Sequence, residues 1–196
     1  MISYLLKIFA LLGLLLLSPF LVIAMVVLFI EDGLPVIFIQ KRLGKDKKIF
    51  NFYKLRTMKK NAPNKGTHEV SKLNYLKCGH FLRKYKIDEL PQVINYIKGD
   101  INLVGPRPGL PSQSELNEFR VIYDVFDVRP GITGLSQVLG YDMSDPELLS
   151  KLDKIYINNR SVKIDFYIFV ATFINAYKSK VYKALQKDID KSFNGI

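Results

Sequence analysis

The chain has 196 residues, with 29 Lys and Arg against 18 Asp and Glu, and carries a formal net charge of +11. This length predicts one domain, with room for an appendage. The single cysteine, Cys78, excludes an intramolecular disulfide framework and indicates a reducing compartment. His68 and His80 are isolated, so they do not form a cluster with the spacing of zinc ligands.

The first predicted element is an apolar segment, since no charged residue occurs from Ile8 to Ile30. As a helix it is long enough to cover the roughly 30 Å hydrocarbon core of a bilayer. Ser18-Pro19 interrupts it, because proline removes a backbone hydrogen bond and the serine hydroxyl can satisfy a freed carbonyl. A kinked span and a re-entrant hairpin remain two alternatives. The basic residues that follow predict a cytoplasmic main domain, and Lys7 favours the same side for both ends.

The next feature is a basic cluster in which nine lysines and arginines stand between Lys41 and Lys60, against the single acid Asp46. Such a cluster predicts a polyanionic partner: nucleic acid, anionic lipid or a phosphorylated small molecule. It adjoins a bilayer segment and contains no nucleic-acid-binding motif. Membrane lipids and phosphorylated substrates are therefore the expected partners, and nucleic acid is not.

The remaining elements predict an α-rich α/β body with short strands. Asp88 stands where a helix N-cap belongs, Gly99 ends that helix, and residues 101–104 form a short strand. A capping box at Ser112 and Glu115 begins a second helix, and Asp145-Pro146 begins a third. The first of these helices is predicted to bury one apolar face, formed by Leu90, Val93, Ile94 and Ile97.

A second apolar stretch, Phe166 to Tyr177, is too short to span a bilayer and is followed by Lys178, Lys180 and Lys183. This pattern predicts a helix near residues 164–180 that lies in the membrane interface, with aromatic side chains towards the lipid. A buried helix in the protein core is the alternative.

Asp88 and Glu89 suggest phosphoryl-transfer chemistry. Neighbouring residues on a helix point about 100° apart, so the two carboxylates are suited to different roles. An ionised Asp can attack phosphorus, and an adjacent Glu can hold Mg²⁺ against phosphate oxygens. Arg107, between Pro106 and Pro108, lies on a stiff loop that suits bidentate phosphate contact. The plainer alternative is a helix cap followed by a turn.

Three segments closely resemble the bacterial sugar transferases known as small monotopic phosphoglycosyl transferases. They are KRLGKDKKIFNFYKLRTM, LRKYKIDELPQVINYIKGDINLVGPRPG and VRPGITGLSQVLG, in this order after the apolar Ser-Pro segment. The resemblance covers nearly the whole chain. It implies an enzyme on the cytoplasmic face of the bacterial inner membrane that begins glycan assembly. Such an enzyme moves a sugar-1-phosphate from a UDP-sugar to undecaprenyl phosphate and releases UMP.

The resemblance also implies the roles of individual residues. Asp88 is expected to be the nucleophile that forms a covalent phosphosugar intermediate, and Glu89 is expected to bind Mg²⁺. Arg83 and Arg107 are expected to lie near the phosphates. Further phosphate or nucleotide contacts are expected from the basic cluster and the second Pro-Gly turn, namely from Lys54, Arg56 and Arg129.

The same resemblance favours a re-entrant membrane hairpin in residues 1–32, broken at Ser18-Pro19, and a cytoplasmic catalytic domain in residues 33–196. The expected protein is therefore monotopic, and a homodimer is compatible with the sequence. The chain departs from the family pattern in its N-terminal segment, which lacks the usual Asp, at Lys86, and at Tyr141, where an Arg is usual. The last change leaves the identity of the donor sugar open.

Two alternatives to this covalent transferase are compatible with the sequence. Asp88 could act as a general base for direct transfer within a ternary complex, without a covalent intermediate. From a different class, the chain could be a scaffold that binds anionic lipid at the membrane surface without catalysis. That scaffold accounts for the charge and the apolar segment but leaves Asp88, Glu89 and Arg107 unexplained.

Overall fold

The computed structural model describes residues 2–63 and 71–194, and it confirms an α-rich α/β protein with short strands. The described helices and strands are, in chain order, α1 Ile2–Asp32, β1 Ile37–Leu43, β2 Ile49–Leu55, α2 Lys77–Lys84, α3 Gln92–Lys98, β3 Asn102–Val104, α4 Ser114–Ile122, β4 Gly131–Thr133, α5 Leu135–Leu139, α6 Pro146–Asn158, α7 Val162–Ala171 and α8 Ala176–Asn194.

The chain divides into two compact units. The first comprises Met1–Lys41 and Asn51–Gly99, and the second comprises Arg42–Phe50 and Asp100–Ile196. Strands β1 and β2 pair as a two-stranded sheet joined by the turn at Gly44. The base of this hairpin belongs to the first unit and its tip to the second. The boundary at residue 32 stays a prediction.

Helix α1 dominates the first unit and is the one described helix that is long and apolar enough to cross a membrane. It runs from Ile2 to Asp32 with Pro19 inside it, and the Ser18 hydroxyl donates to the Leu15 carbonyl at 2.7 Å. This hydrogen bond confirms that the serine hydroxyl satisfies a carbonyl beside the proline. Most large side chains of α1 are exposed, which is unlike a helix in a soluble core.

Both ends of α1 are attached to the first unit. Near its start, the Lys7 ammonium donates to the Ile97 carbonyl at the end of α3, at 2.8 Å. Near its end, the Glu31 carboxylate accepts from the backbone N–H groups of Lys77 and Cys78, which begin α2. In between, Ala24 and Leu28 pack into a core with Leu55 of β2, with Leu82 of α2 and with Leu76, which precedes α2.

Helix α3 differs from its sequence prediction in the face that it buries. The buried residues are Gln92, Asn95 and Tyr96, whereas Ile94 of the predicted apolar face is exposed. Asn95 explains the difference, because its side chain accepts from Tyr53 N at 3.2 Å and donates to the Asn51 carbonyl at 2.6 Å. A polar side chain is favoured at a buried position when such partners are present.

The helix ends as predicted at Gly99, which has a φ of 86° and donates its N–H to two carbonyls of the last turn. This left-handed conformation strains any residue other than glycine. The strand predicted for residues 101–104 is confirmed as β3.

The second unit is built on a short parallel pair, with Asn102 of β3 opposite Gly131 of β4 and Val104 opposite Thr133. Helices α5 to α8 cover it with one apolar core, which includes Leu135, Leu152 and Ile168. Helix α6 begins as predicted, because the Asp145 side chain accepts from Leu148 N and Pro146 is in the first turn. The predicted capping box is wrong: α4 begins after Gln113, which makes no side-chain cap hydrogen bond.

The single helix predicted near residues 164–180 is two helices, since α7 ends at Ala171 and α8 begins at Ala176. Helix α7 buries Ile164, Ile168 and Ala171 in the core of the second unit. Its other side exposes Val162, Phe166 and Phe169, and the exposed Phe173 in the turn after α7 extends this aromatic row. The buried face of α7 therefore agrees with the alternative of a core helix. The exposed face agrees with a helix in the membrane interface, and that interfacial position stays a prediction.

Candidate active site

Asp88 and Glu89 lie in a tight 3-10 turn, Ile87–Glu89, between α2 and α3 of the first unit. Lys86 enters this turn in the left-handed conformation, with a φ of 59°, and its carbonyl accepts from Glu89 N at 3.2 Å. The predicted N-cap position of Asp88 is therefore wrong, since Pro91 precedes the first residue of α3. The turn, rather than a helix dipole, positions the acidic pair.

Asp88 is the more enclosed member of the pair, with 5% of its surface exposed, whereas Glu89 is half-buried. A carboxylate that attacks phosphorus forms an acyl phosphate, which water hydrolyses, and an enclosed position limits the access of water to it. The more accessible Glu89 is suited to a ligand that arrives with a substrate. The two environments thus agree with two different roles for neighbouring carboxylates.

The binding of Mg²⁺ at Glu89 stays a prediction. In residues 2–63 and 71–194 no group of three or more His, Cys, Asp or Glu side chains is arranged to hold a metal ion. Mg²⁺ commonly uses one or two carboxylates together with substrate phosphates and water. Glu89, beside Asp88, provides such a partial set.

Arg83 is held rigidly on α2. Its Nε donates to Thr57 Oγ1 at 2.8 Å and its Nη1 donates to the Tyr75 hydroxyl at 2.7 Å. The guanidinium also stacks on the Tyr75 ring, 4.6 Å from the centroid. Two fixed contacts and a stacked face leave little side-chain entropy to be lost when Arg83 binds an anion.

Three of the predicted phosphate-binding residues line one cleft of the first unit, with a cavity volume of about 70 Å³: Lys54, Arg56 and Arg83. Lys54 stacks over the Phe38 ring at 5.2 Å. Arg56 is buried and donates to Asp32 and to the backbone carbonyls of Gly33 and Pro35. These bonds show that Arg56 stabilises the end of α1. Its contact with phosphate stays a prediction.

Arg107 and Arg129 belong to the second unit, where their loops touch. Pro106 O accepts from Gly131 N at 2.9 Å, and Asn102 N donates to Pro130 O at 2.7 Å. A Cβ at Gly105 would lie 2.9 Å from Arg129 O, so only glycine permits this approach. The parallel strand pair thus brings the two proline-arginine loops together, with Arg107 half-buried and Arg129 exposed.

Two arginines that the sequence prediction did not single out also contact the Arg107 loop. Arg120 Nη2 donates to Arg107 O at 2.7 Å, and Arg42 Nη1 donates to Pro108 O at 2.9 Å. Arg42 belonged to the predicted basic cluster, but it is buried rather than on the surface. The sequence of β1 does not indicate this burial, because the polar Gln40 and Arg42 are buried whereas the apolar Ile39 is exposed. Arg120 likewise has no local sequence signal.

Two of the three departures from the family pattern, at Lys86 and at Tyr141, have simple structural settings. Lys86 adopts the left-handed conformation that begins the Asp88 turn. Tyr141 follows Gly140, packs against the core of the second unit and donates its N–H to Ser136 O at 2.9 Å.

The chain is similar to several bacterial sugar transferases. It is 36% identical over 171 residues to the UDP-N-acetylgalactosamine-undecaprenyl-phosphate N-acetylgalactosaminephosphotransferase of Aeromonas hydrophila, covering 79% of this chain and 38% of that protein. It is 37% identical over 159 residues to the uncharacterized sugar transferase EpsL of Bacillus subtilis (strain 168), covering 79% and 76%. It is 36% identical over 184 residues to the UDP-glucose:undecaprenyl-phosphate glucose-1-phosphate transferase of Escherichia coli (strain K12), covering 87% and 38%.

The chain therefore spans a little over a third of the first and third of these relatives and about three quarters of the second. The family model described as bacterial sugar transferase matches residues 3–179, from the start of α1 to the first turn of α8. This match includes the acidic turn, the cleft and both proline-arginine loops. The resemblance noted in the motifs is confirmed, and the chain belongs to the bacterial sugar transferase family.

Proposed function

We propose that this protein transfers a sugar-1-phosphate from a UDP-sugar to undecaprenyl phosphate and releases UMP. The observation that carries the proposal is the enclosed Asp88 next to the more accessible Glu89, in a member of this family. The names of the Aeromonas hydrophila and Escherichia coli relatives describe transfers of this type to undecaprenyl phosphate.

In the proposed reaction, an Asp88 carboxylate oxygen attacks the phosphorus that carries the sugar. The bond between this phosphorus and the oxygen bridging the two phosphates breaks, and UMP leaves with the bridging oxygen. The phosphate oxygen of undecaprenyl phosphate then attacks the same phosphorus and releases the Asp88 carboxylate. Two displacements thus replace one direct transfer between a water-soluble donor and a lipid acceptor.

Both displacements bring negatively charged groups together, so cations are needed around the phosphates. When bound at Glu89, Mg²⁺ supplies charge neutralisation between the carboxylates and the phosphate oxygens. The fixed guanidinium of Arg83 and the ammonium of Lys54 provide positive charge in the first unit. Arg107 and Arg129 provide it in the second, where their loops meet.

We further propose that α1 enters and leaves the membrane by the cytoplasmic face. The attachment of both ends of α1 to the first unit, at Lys7 and at Glu31, supports a re-entrant path. A helix that crossed the bilayer would carry one end away from that unit. The exposed aromatic row of α7 and the lysines of α8 support a second contact with the membrane interface.

The test is UMP release by the full chain in detergent with Mg²⁺ and a panel of UDP-sugars, with and without undecaprenyl phosphate. We expect one equivalent of UMP without acceptor and turnover with it. Asp88→Asn and Glu89→Gln are expected to abolish both. Asp127→Asn is the matched control, because Asp127 ends a similar 3-10 turn but is exposed.

The other outcomes separate the alternatives. Turnover with acceptor but no UMP without it would support Asp88 as a general base in a direct transfer. Full activity of Asp88→Asn would reject both roles of that residue. A protein that binds anionic vesicles but neither binds nor cleaves any UDP-sugar would be the lipid-binding scaffold.

A further inference from the structure

Three consecutive carbonyls of the Arg107 loop accept hydrogen bonds from other segments of the second unit. Arg107 O accepts from Arg120 Nη2 at 2.7 Å, and Pro108 O accepts from Arg42 Nη1 at 2.9 Å. Gly109 O accepts from Leu43 N at 3.0 Å. Proline on both sides of Arg107 restricts the loop further. The backbone from which the Arg107 side chain extends is therefore fixed by contacts from two distant segments.

Arg120 is itself fixed by a buried polar network. Its Nη2 lies 3.0 Å from Asp153 Oδ2, and the side chains of both residues are almost fully buried. Ser136 Oγ donates to Asp153 Oδ1 at 3.2 Å. A Cβ at Gly109 would lie 3.1 Å from Arg120 Nη1, so the guanidinium is also packed directly against the loop. Breaking such a pair leaves a buried charge without compensation.

The network concentrates positive charge at one place. Burial, together with the nearby charges of Arg107 and Arg120, lowers the pKa of Arg42 to about 9. Burial likewise lowers the pKa of Arg120, although Asp153 opposes the shift. An arginine retains its proton at neutral pH, so the buried Arg42 stays charged near the charges of Arg107 and Arg120. An anion at the loop would relieve the repulsion between these charges.

We propose that Arg42 and Arg120, the latter held by Asp153 and Ser136, are positioning residues that hold Arg107 for the diphosphate of the nucleotide donor. They act through the loop carbonyls rather than by touching substrate. The inference rests on the proposed function, because it takes Arg107 as a phosphate ligand. It adds two buried residues to those that determine the affinity for the donor.

The experiment is a double-mutant cycle on UDP binding, measured at equilibrium with the full chain, detergent and Mg²⁺. A lysine at position 120 can donate to Arg107 O or to Asp153, but not to both in the arginine geometry. We expect Arg120→Lys to weaken UDP binding about tenfold, and Arg107→Ala at least as much. In the Arg107→Ala background, Arg120→Lys is expected to change UDP binding by less than about twofold.

A merely structural role gives a different result. Arg120→Lys would then lower the folded fraction or the thermal midpoint while the folded protein binds UDP normally. It would also have the same effect with and without the Arg107 side chain, and either result would overturn the inference. If Arg120→Lys does not fold, the same double-mutant cycle is measured with Arg42→Lys, which removes the hydrogen bond to Pro108 O. Lys154→Gln is the matched control. Lys154 follows Asp153 in the chain, and the substitution breaks its exposed ion pair with Asp124.

The two proposals fail in distinguishable ways. A wild-type protein that releases UMP from a UDP-sugar, combined with an additive cycle, would reject only the positioning role. A wild-type protein that binds UDP with a non-additive cycle but never releases UMP would reject only the transferase. No UDP binding by the wild type would reject both.

Discussion

At the scale of single residues, Arg56 shows how a cation can serve the fold within a candidate site. Its guanidinium pairs with Asp32 and donates to the carbonyls of Gly33 and Pro35, where the chain leaves α1. Arg56 Nη2 also donates to Asp32 O at 3.2 Å, which is one of the carbonyls that the end of a helix leaves without a partner. Five donors in a planar fork suit several acceptors at once, which a lysine cannot reproduce.

Arg56→Lys is therefore expected to destabilise the protein by about 2–3 kcal/mol, because one ammonium cannot keep both the Asp32 pair and the carbonyl bonds. The thermal midpoint should fall by roughly 5 °C or more. Thermal unfolding in detergent measures this, with the exposed Lys59→Gln as control. UDP binding by the folded variant tests the predicted phosphate contact separately. An unchanged midpoint would contradict the structural task.

Asp153 is a second residue whose behaviour follows from burial. Burial raises the pKa of its carboxyl from 3.8 to about 6, although Arg120 and Ser136 oppose the shift. The folded state therefore binds this proton more tightly than the unfolded state. The contribution of the carboxyl to the free energy of unfolding is full below about pH 4 and is lost as the pH rises through about 6.

Asp153→Asn removes this titration. We expect the thermal midpoint of the wild type, relative to that of the variant, to be higher at pH 4 than at pH 7. Measuring the difference between the two proteins cancels the titrating groups that do not contact residue 153. Arg120, which faces Asp153 from α4, keeps its proton at both pH values. Asp127→Asn should show no such trend. A difference that is equal at both pH values would contradict the raised pKa.

At the scale of elements, α1 combines a membrane helix with two attachment points. Its 31 residues correspond to about 46 Å of helix, which exceeds the hydrocarbon core of a bilayer. Lys7 and Glu31, close to opposite ends, both bind backbone groups of the first unit. Pro19 lies between these points. The Leu15 carbonyl, which the proline leaves without its backbone donor, accepts from the Ser18 hydroxyl.

Replacing Pro19 by leucine restores the missing N–H and removes the ring that clashes with the preceding turn. We expect the variant to form a straighter helix whose N-terminus crosses the membrane. The accessibility of a cysteine placed at residue 3 to a membrane-impermeant reagent, in a Cys78→Ala background, measures the side. Leu16→Ala is the control that keeps Pro19. Labelling from the cytoplasmic side in both proteins would reject this role of the proline.

At the scale of the whole molecule, positive charge and apolar surface act together. The net charge of +11 attracts the chain to an anionic surface, but salt screens this attraction. The exposed side chains of α1 give an attraction that salt does not weaken. The predicted site residues in the first unit are Lys54, Arg56, Arg83, Asp88 and Glu89, and those in the second unit are Arg107 and Arg129.

We therefore expect the protein to remain with anionic vesicles at 1 M NaCl and to be released by detergent. Sedimentation of vesicles at low and high salt measures the bound fraction. Lys183→Gln with Lys187→Gln, both exposed on α8, should lower the initial rate of vesicle binding at low salt without changing the fraction retained at high salt. Complete release by salt would show an electrostatic anchor rather than an inserted helix.

The sequence by itself determined the properties that depend on local chemistry. The apolar length of α1, the turn at Gly99, the start of α6 at Asp145 and the short strand β3 follow from residue type and spacing. The motifs around Asp88 and Arg107 also identified the family, because a long sequence pattern is specific even when its geometry is unknown.

The tertiary structure alone decided which polar groups are buried and which groups they contact. Asp88 lies in a 3-10 turn rather than at a helix cap, and α3 buries Asn95 instead of Ile94. Arg42 and Arg120 reach the Arg107 loop from positions far away in the chain. A buried polar side chain is stable only when its partner is in place, and partners so distant leave no periodic signal in the sequence.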